Sequence, residues 1–133
     1  SDLDNALIRR RLAPWAMEGC LLQDITFRPT FNKWDGRICR GFMIHIIDHD
    51  AFRPYLTSIS LLMAVIEIHS RDFRWKDPPY EYEYKRMPID LILGDRELRG
   101  AIEAGGDISG IAGKWDDENR DCDKWRKEFL LYK

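Results

Sequence analysis

The chain has 133 residues, 44% apolar and 33% charged, with a net charge of −2. Those proportions exclude a disordered chain and speak against a nucleic-acid binder, which would need a basic footprint. One domain is expected at this length, with roughly 65–70% of the extended chain's surface buried on folding.

In chain order, Asp4–Ala13 predicts a short helix with Arg9–Arg11 solvated, ended by Pro14. Leu21–Phe31 switches to period two. Leu21, Ile25, Phe27, Pro29 and Phe31 alternate with polar residues, as in a half-buried strand. The turn Asn32–Ile38 follows, holding Lys33, Trp34, Gly36 and Arg37. Arg40–Asp48 is apolar on both sides except at His45 and reads as an inner strand. Arg53–Ser70 is the clearest helix, opened by Pro54. Its wide apolar stripe implies packing flat on a sheet.

Phe73–Met87 contains Pro78-Pro79 and the alternating YEYEY, with Tyr80, Tyr82 and Tyr84 on one face. It forms either a third strand or an extended arm. Pro88–Leu93 is a short helix stopped by Gly94, and Asp95 caps a helix over 96–104. From Asp107 a three-and-four spacing runs to Phe129, and the acidic interval Asp116–Asp123 divides it into two helices or leaves it whole. The expected fold class is α+β: a small, mostly antiparallel sheet with helices packed on one face.

Few residues suggest chemistry. Cys20, Cys39 and Cys122 lack metal-ligand spacing and are expected as buried free thiols, one disulfide staying open for an exported protein. Asp48-His49-Asp50 fits a helix-capping turn better than a metal cluster. His45 fits a satisfied sheet histidine. The carboxylate pairs Glu81/Glu83, Asp116/Asp117 and Asp121/Asp123 lie in solvated runs with nothing to raise a pKa. No nucleophile motif or phosphate loop is present, so no catalytic residue, metal or cofactor is expected. The longest apolar run, 59–66, is too short to span a bilayer, and the opening SDLDNALIRRRL has no apolar leader segment. The compartment stays open.

The pattern F-x-P-x-F-x-K-x-x-G-x-x-C-x-G stands at Phe27, Pro29, Phe31, Lys33, Gly36, Cys39 and Gly41. Further on come Asp48 with Phe52-Arg53-Pro54, the stretch from Pro78 to Gly94 with Asp90, and Trp125, Phe129 and Leu130–Tyr132. From about Ala13 onward the chain resembles the C-terminal half of the NamZ-like exo-β-N-acetylmuramidases. Phe42 departs from the smaller β-branched residue usual there, which bears on strand packing.

The resemblance implies a single auxiliary domain over 1–133, with a Rossmann-like N-terminal catalytic domain of the same polypeptide as its partner. The family's E-G-R-G-T-T linker is absent from this chain, as is the catalytic domain. The implied substrate is a muropeptide or other amino sugar, and the chain by itself is expected to be inactive. Lys33, Trp34, Arg37, Tyr80 and Tyr82 are the candidates for substrate binding or domain docking. The alternative is a non-enzymatic interaction or dimerisation module.

Overall fold

The computed structural model describes residues 3–132, every side chain among them except that of Arg96. The chain divides into two compact units at the Arg74–Trp75 boundary.

The first unit begins with α1 (Asn5–Arg11), whose Leu7 amide is capped by the Asp4 carboxylate at 3.0 Å. A 3-10 turn, Pro14–Met17, follows. Strands β1 (Cys20–Phe27) and β2 (Cys39–Ile46) pair antiparallel, Cys20 opposite Ile46 and Phe27 opposite Cys39. Helix α2 (Pro54–Ile68) closes the unit.

Packing is decided by α1. Its Arg9 donates to the Asp24 carboxylate and to the Leu22 carbonyl, both at 2.7 Å, and lies over the Phe42 ring at 5.1 Å. One side of the ribbon is thereby covered in part. Ile8 of α1 and Leu56 and Ile59 of α2 are fully buried, each contributing roughly 1.5–3 kcal/mol.

Two expectations are corrected. β2 is not an inner strand: among the described residues the sheet has two strands, and Met43, Ile44 and Ile46 are exposed. Nor does α2 lie flat on the sheet. It packs on α1 and the 3-10 turn, and its most buried face includes Thr57 and Ser60. Thr57 fits there because its hydroxyl donates to the Ala16 carbonyl at 2.8 Å.

The base of the hairpin is closed by Gly19. Its carbonyl accepts from the amides of Ile47 (2.9 Å) and Asp48 (3.1 Å), and its φ is +72°. A Cβ there would stand 2.5 Å from both the Asp48 carbonyl oxygen and the Phe52 nitrogen. Asp48 also turns the chain ahead of α2: its carboxylate accepts from the amides of Asp50 (2.9 Å) and Ala51 (3.1 Å). This is a local turn and not the helix cap expected of DHD, since the N-cap of α2 is Arg53.

The second unit holds α3 (Pro88–Leu93), α4 (Arg96–Glu103) and α5 (Ile108–Arg126). Pro88 starts α3 and Gly94 stops it at φ +71°. The Asp95 and Asp107 carboxylates cap α4 and α5. α3 is bound to α4 by Arg99, which grips buried Asp90 at 2.6 and 3.4 Å and also reaches Glu103 at 3.1 Å. These partners hold the guanidinium above its ordinary pKa, Asp90 most strongly. The segment 75–87 carries a cis Pro78-Pro79 bond and no strand. The molecule is thus α+β, with a small antiparallel sheet.

Gly19→Ala is expected to destabilise the chain by more than about 2 kcal/mol, since left-handed strain and a backbone clash combine. Gly36→Ala, also at positive φ but in open space, is expected to cost only about 1 kcal/mol. Urea unfolding of both variants checks the difference; equal losses would remove the close approach at Gly19 from the account.

Candidate functional site

The hairpin turn gathers three of the five candidate residues. The Gly36 amide donates to the Pro29 carbonyl at 2.9 Å and the Arg37 amide to the Trp34 carbonyl at 2.9 Å. Asn32, Trp34 and Gly36 all have positive φ, at 66°, 64° and 71°. For Asn32 this is common, and its side-chain oxygen accepts from the Lys33 amide at 2.9 Å. For Trp34 it is strained, by roughly 1–3 kcal/mol. Such strain presents the indole outward: Trp34 is 49% exposed, and the Arg37 guanidinium lies 5.5 Å from its ring centre. Lys33 is exposed beside it. The tip therefore offers one aromatic surface and two cations.

Trp34 also forms a wall of a cavity of about 690 Å³, completed by Leu3, Val65, His69, Asp72, Phe73 and Arg74. The helical spacing of the apolar stripe in 53–70 extends to His69, and no motif marks Asp72 or Arg74. The signal they do leave is the R-D-x-R cluster directly after an apolar helix. His69 Nε2 is buried and has no hydrogen-bond partner among the described residues.

Tyr80 and Tyr82 belong to the second unit. The chain reverses there: the Tyr80 amide donates to the Glu83 carbonyl at 2.9 Å, and the Glu83 amide to that of Tyr80 at 3.0 Å. Glu81 takes a φ of +52° at the bend. Of the two readings, arm and strand, the arm is found, and the tyrosines do not share a strand face. Tyr82 is 93% exposed, while Tyr80 is half-buried with the Lys76 ammonium 5.8 Å from its ring centre.

Glu83 is the anchor of this arm. Its carboxylate accepts from the amides of Lys85 (2.8 Å) and Arg86 (3.2 Å) and from Arg86 Nε (2.9 Å). The Lys85 amide first, then the Arg86 side chain, lower its pKa to about 2. Asp107, similarly lowered, serves as a helix cap through its bonds to Ser109. Both groups are held ionised, as acceptors rather than acids.

The three cysteines are free. Cys20 and Cys39 are buried as expected, and burial pushes the Cys20 thiol up. Cys122 is exposed, contrary to expectation, because it lies in the solvated half of α5. Among the described residues no group of His, Cys, Asp and Glu has the geometry of a metal site, and no helix is long and apolar enough to cross a membrane.

The family model described as "Exo-beta-N-acetylmuramidase NamZ, C-terminal" matches residues 1–132. The peptidoglycan β-N-acetylmuramidase NamZ of Bacillus subtilis (strain 168) is 24% identical over 116 residues, covering 87% of this chain and 26% of that protein. The chain therefore spans about a quarter of that relative's length. A crystal structure of a DUF1343 family protein from Bacteroides fragilis NCTC 9343 shares the fold, with a TM-score of 0.75 at 14% identity. The match covers 98% of this chain and 33% of that one.

The tyrosine arm is expected to loosen in acid. Glu83 is ionised at neutral pH, and its depressed pKa stabilises the folded arm above the ordinary value of 4.5. That contribution falls away as pH drops from 4.5 through about 2. A carboxyl NMR titration is expected to give a Glu83 midpoint near 2, rising in Arg86→Ala. A wild-type midpoint at 4.5 would show that the anchor is not formed.

Proposed function

The chain belongs to the C-terminal family of the exo-β-N-acetylmuramidase NamZ, and from that premise we propose that it is the auxiliary domain of a peptidoglycan-acting glycosidase. In this reading the parent polypeptide removes terminal N-acetylmuramic acid from peptidoglycan fragments. A catalytic domain elsewhere in it supplies the carboxylate for glycosidic cleavage, and this domain completes the substrate cleft.

The observation that carries the reading beyond family membership is the strained, outward Trp34 beside Lys33 and Arg37. An exposed indole suits the apolar C–H face of a sugar ring. Two cations beside it suit the lactyl carboxylate of muramic acid, which accepts charge-assisted hydrogen bonds. Arg37 contributes a planar fork, Lys33 a point charge. The second unit carries an exposed aromatic of its own, Tyr82, on an arm whose bend Glu83 holds. The depressed pKa of Glu83 suits a structural acceptor and not a general acid, in keeping with a cleft wall.

In the parent polypeptide, Trp34→Ala and Lys33→Ala are each expected to lower kcat/KM for muropeptide cleavage about tenfold, equivalent to about 1.4 kcal/mol. Trp34→Gly is expected to lose the same activity while gaining about 1 kcal/mol of stability, because the backbone strain at φ +64° is relieved. Wild-type kinetics in all three variants would take the turn out of the cleft. Turnover by the 133-residue chain alone would overturn the auxiliary assignment.

A further inference from the structure

Strand β2 is composed like an inner strand and placed like an outer one. Its residues, CRGFMIHI, are apolar on both sides, a pattern that belongs to strands covered on both faces. Yet α1 packs only on the side carrying Asp24 and Phe42, and covers it in part, Ile44 and Ile46 staying exposed there. Register and alternation place Leu21, Gln23 and Phe27 of β1 with Met43 and His45 of β2 on the other side. There Leu21 is 59%, Met43 49% and Phe27 47% exposed. The Phe27 ring lies against Gly41, 3.5 Å from where a Cβ would be, which flattens that end of the face.

The polar groups in the middle of this face are already matched to each other. His45 Nε2 and Gln23 Oε1 are 2.6 Å apart. Covering the face therefore removes apolar surface from water without leaving either of those atoms unpaired, so desolvation there costs little. A two-stranded ribbon is also marginal by itself and gains from a third layer. Exposed apolar residues grouped on one side in this way mark an interaction site.

We propose that this face, Leu21, Phe27 and Met43 around the Gln23–His45 pair, is the surface on which the remainder of the longer polypeptide docks, through a complementary apolar patch. The inference rests on the auxiliary-domain reading above and names the surface that reading requires. The length of chain outside the matched region identifies the occupant. This chain corresponds to 26% of the Bacillus subtilis relative and 33% of the Bacteroides fragilis chain, so most of each lies beyond it. An intramolecular partner is present at high effective concentration, which lowers the affinity that the face itself must supply.

The test is thiol labelling at the face. Cys122→Ser removes the exposed native thiol, Cys20 and Cys39 being buried, and Met43→Cys or, in a second variant, Leu21→Cys supplies a reporter. Each is labelled with a small maleimide in the 133-residue chain and in the polypeptide encoded by the whole reading frame. Labelling is expected to be at least ~10-fold slower in the whole polypeptide for both reporters, as burial restricts thiol access.

Equal rates would overturn the proposal, as would a reading frame with no chain beyond these residues. Slow labelling already in the 133-residue chain would also overturn it, with concentration dependence identifying a second copy as the occupant. The readout needs no enzymatic activity. Protected reporters in a polypeptide inert toward muropeptides would sink the functional reading and leave the docking face standing.

Discussion

The first unit depends on the close approach at Gly19. One carbonyl receives two amides from the end of β2, and one missing Cβ lets the backbone of Asp48 and Phe52 pass at contact distance. The hairpin base and the entry to α2 are thereby a single object. Asp48 finishes the junction by turning the chain through its own carboxylate. With the base fixed and α1 clamped across the ribbon by Arg9, the strands project the tip in a defined direction. The tip can then carry an indole in a backbone conformation it would not choose for itself.

The second unit is held differently. α3 and α4 are short and the buried residues of the unit few, so a polar clamp does what a larger core would otherwise do. Asp90 is nearly buried and is matched by a guanidinium that approaches both of its oxygens. Such a pair specifies geometry more than it adds stability, because both charges give up hydration. It fixes the angle between α3 and α4. α5 contrasts with this: its outer half is solvated and is laced by pairs three residues apart, Arg120 with Asp117, Lys124 with Asp121, Arg126 with Asp123.

Local physics made much of this architecture readable from residue order. Pro88 and Gly94 bound α3 because one lacks an amide and the other tolerates a left-handed stop, and both act within a turn. Asp95 and Asp107 mark helix starts for equally local reasons. The acidic interval in α5 left two outcomes open because ion pairing with the intervening cations offsets its repulsion. The turn's composition pointed to Lys33, Trp34 and Arg37, but the positive φ at Trp34 belongs to a turn closed by the Gly36–Pro29 and Arg37–Trp34 backbone bonds, which composition does not contain. The cavity behind Trp34 joins it to His69 and Asp72, more than thirty residues away, and no periodic pattern reports such a meeting. The YEYEY alternation imitated a strand, and a bend at Glu81 defeated it. β2 is the instructive case: its apolar pattern is a record of more covering than this chain itself provides.

A hairpin clasped at its base separates two tasks along one stretch of chain. The clasp bears the fold, so residues near Gly19 tolerate little change in size or backbone conformation. The tip bears less of it. Lengthening a loop between two fixed ends costs only about 0.6 kcal/mol per doubling. Insertions between Asn32 and Ile38 therefore cost folding little beside changes at the clasp. A change at the tip alters the surface that the hairpin presents, while the clasp below keeps the scaffold in place.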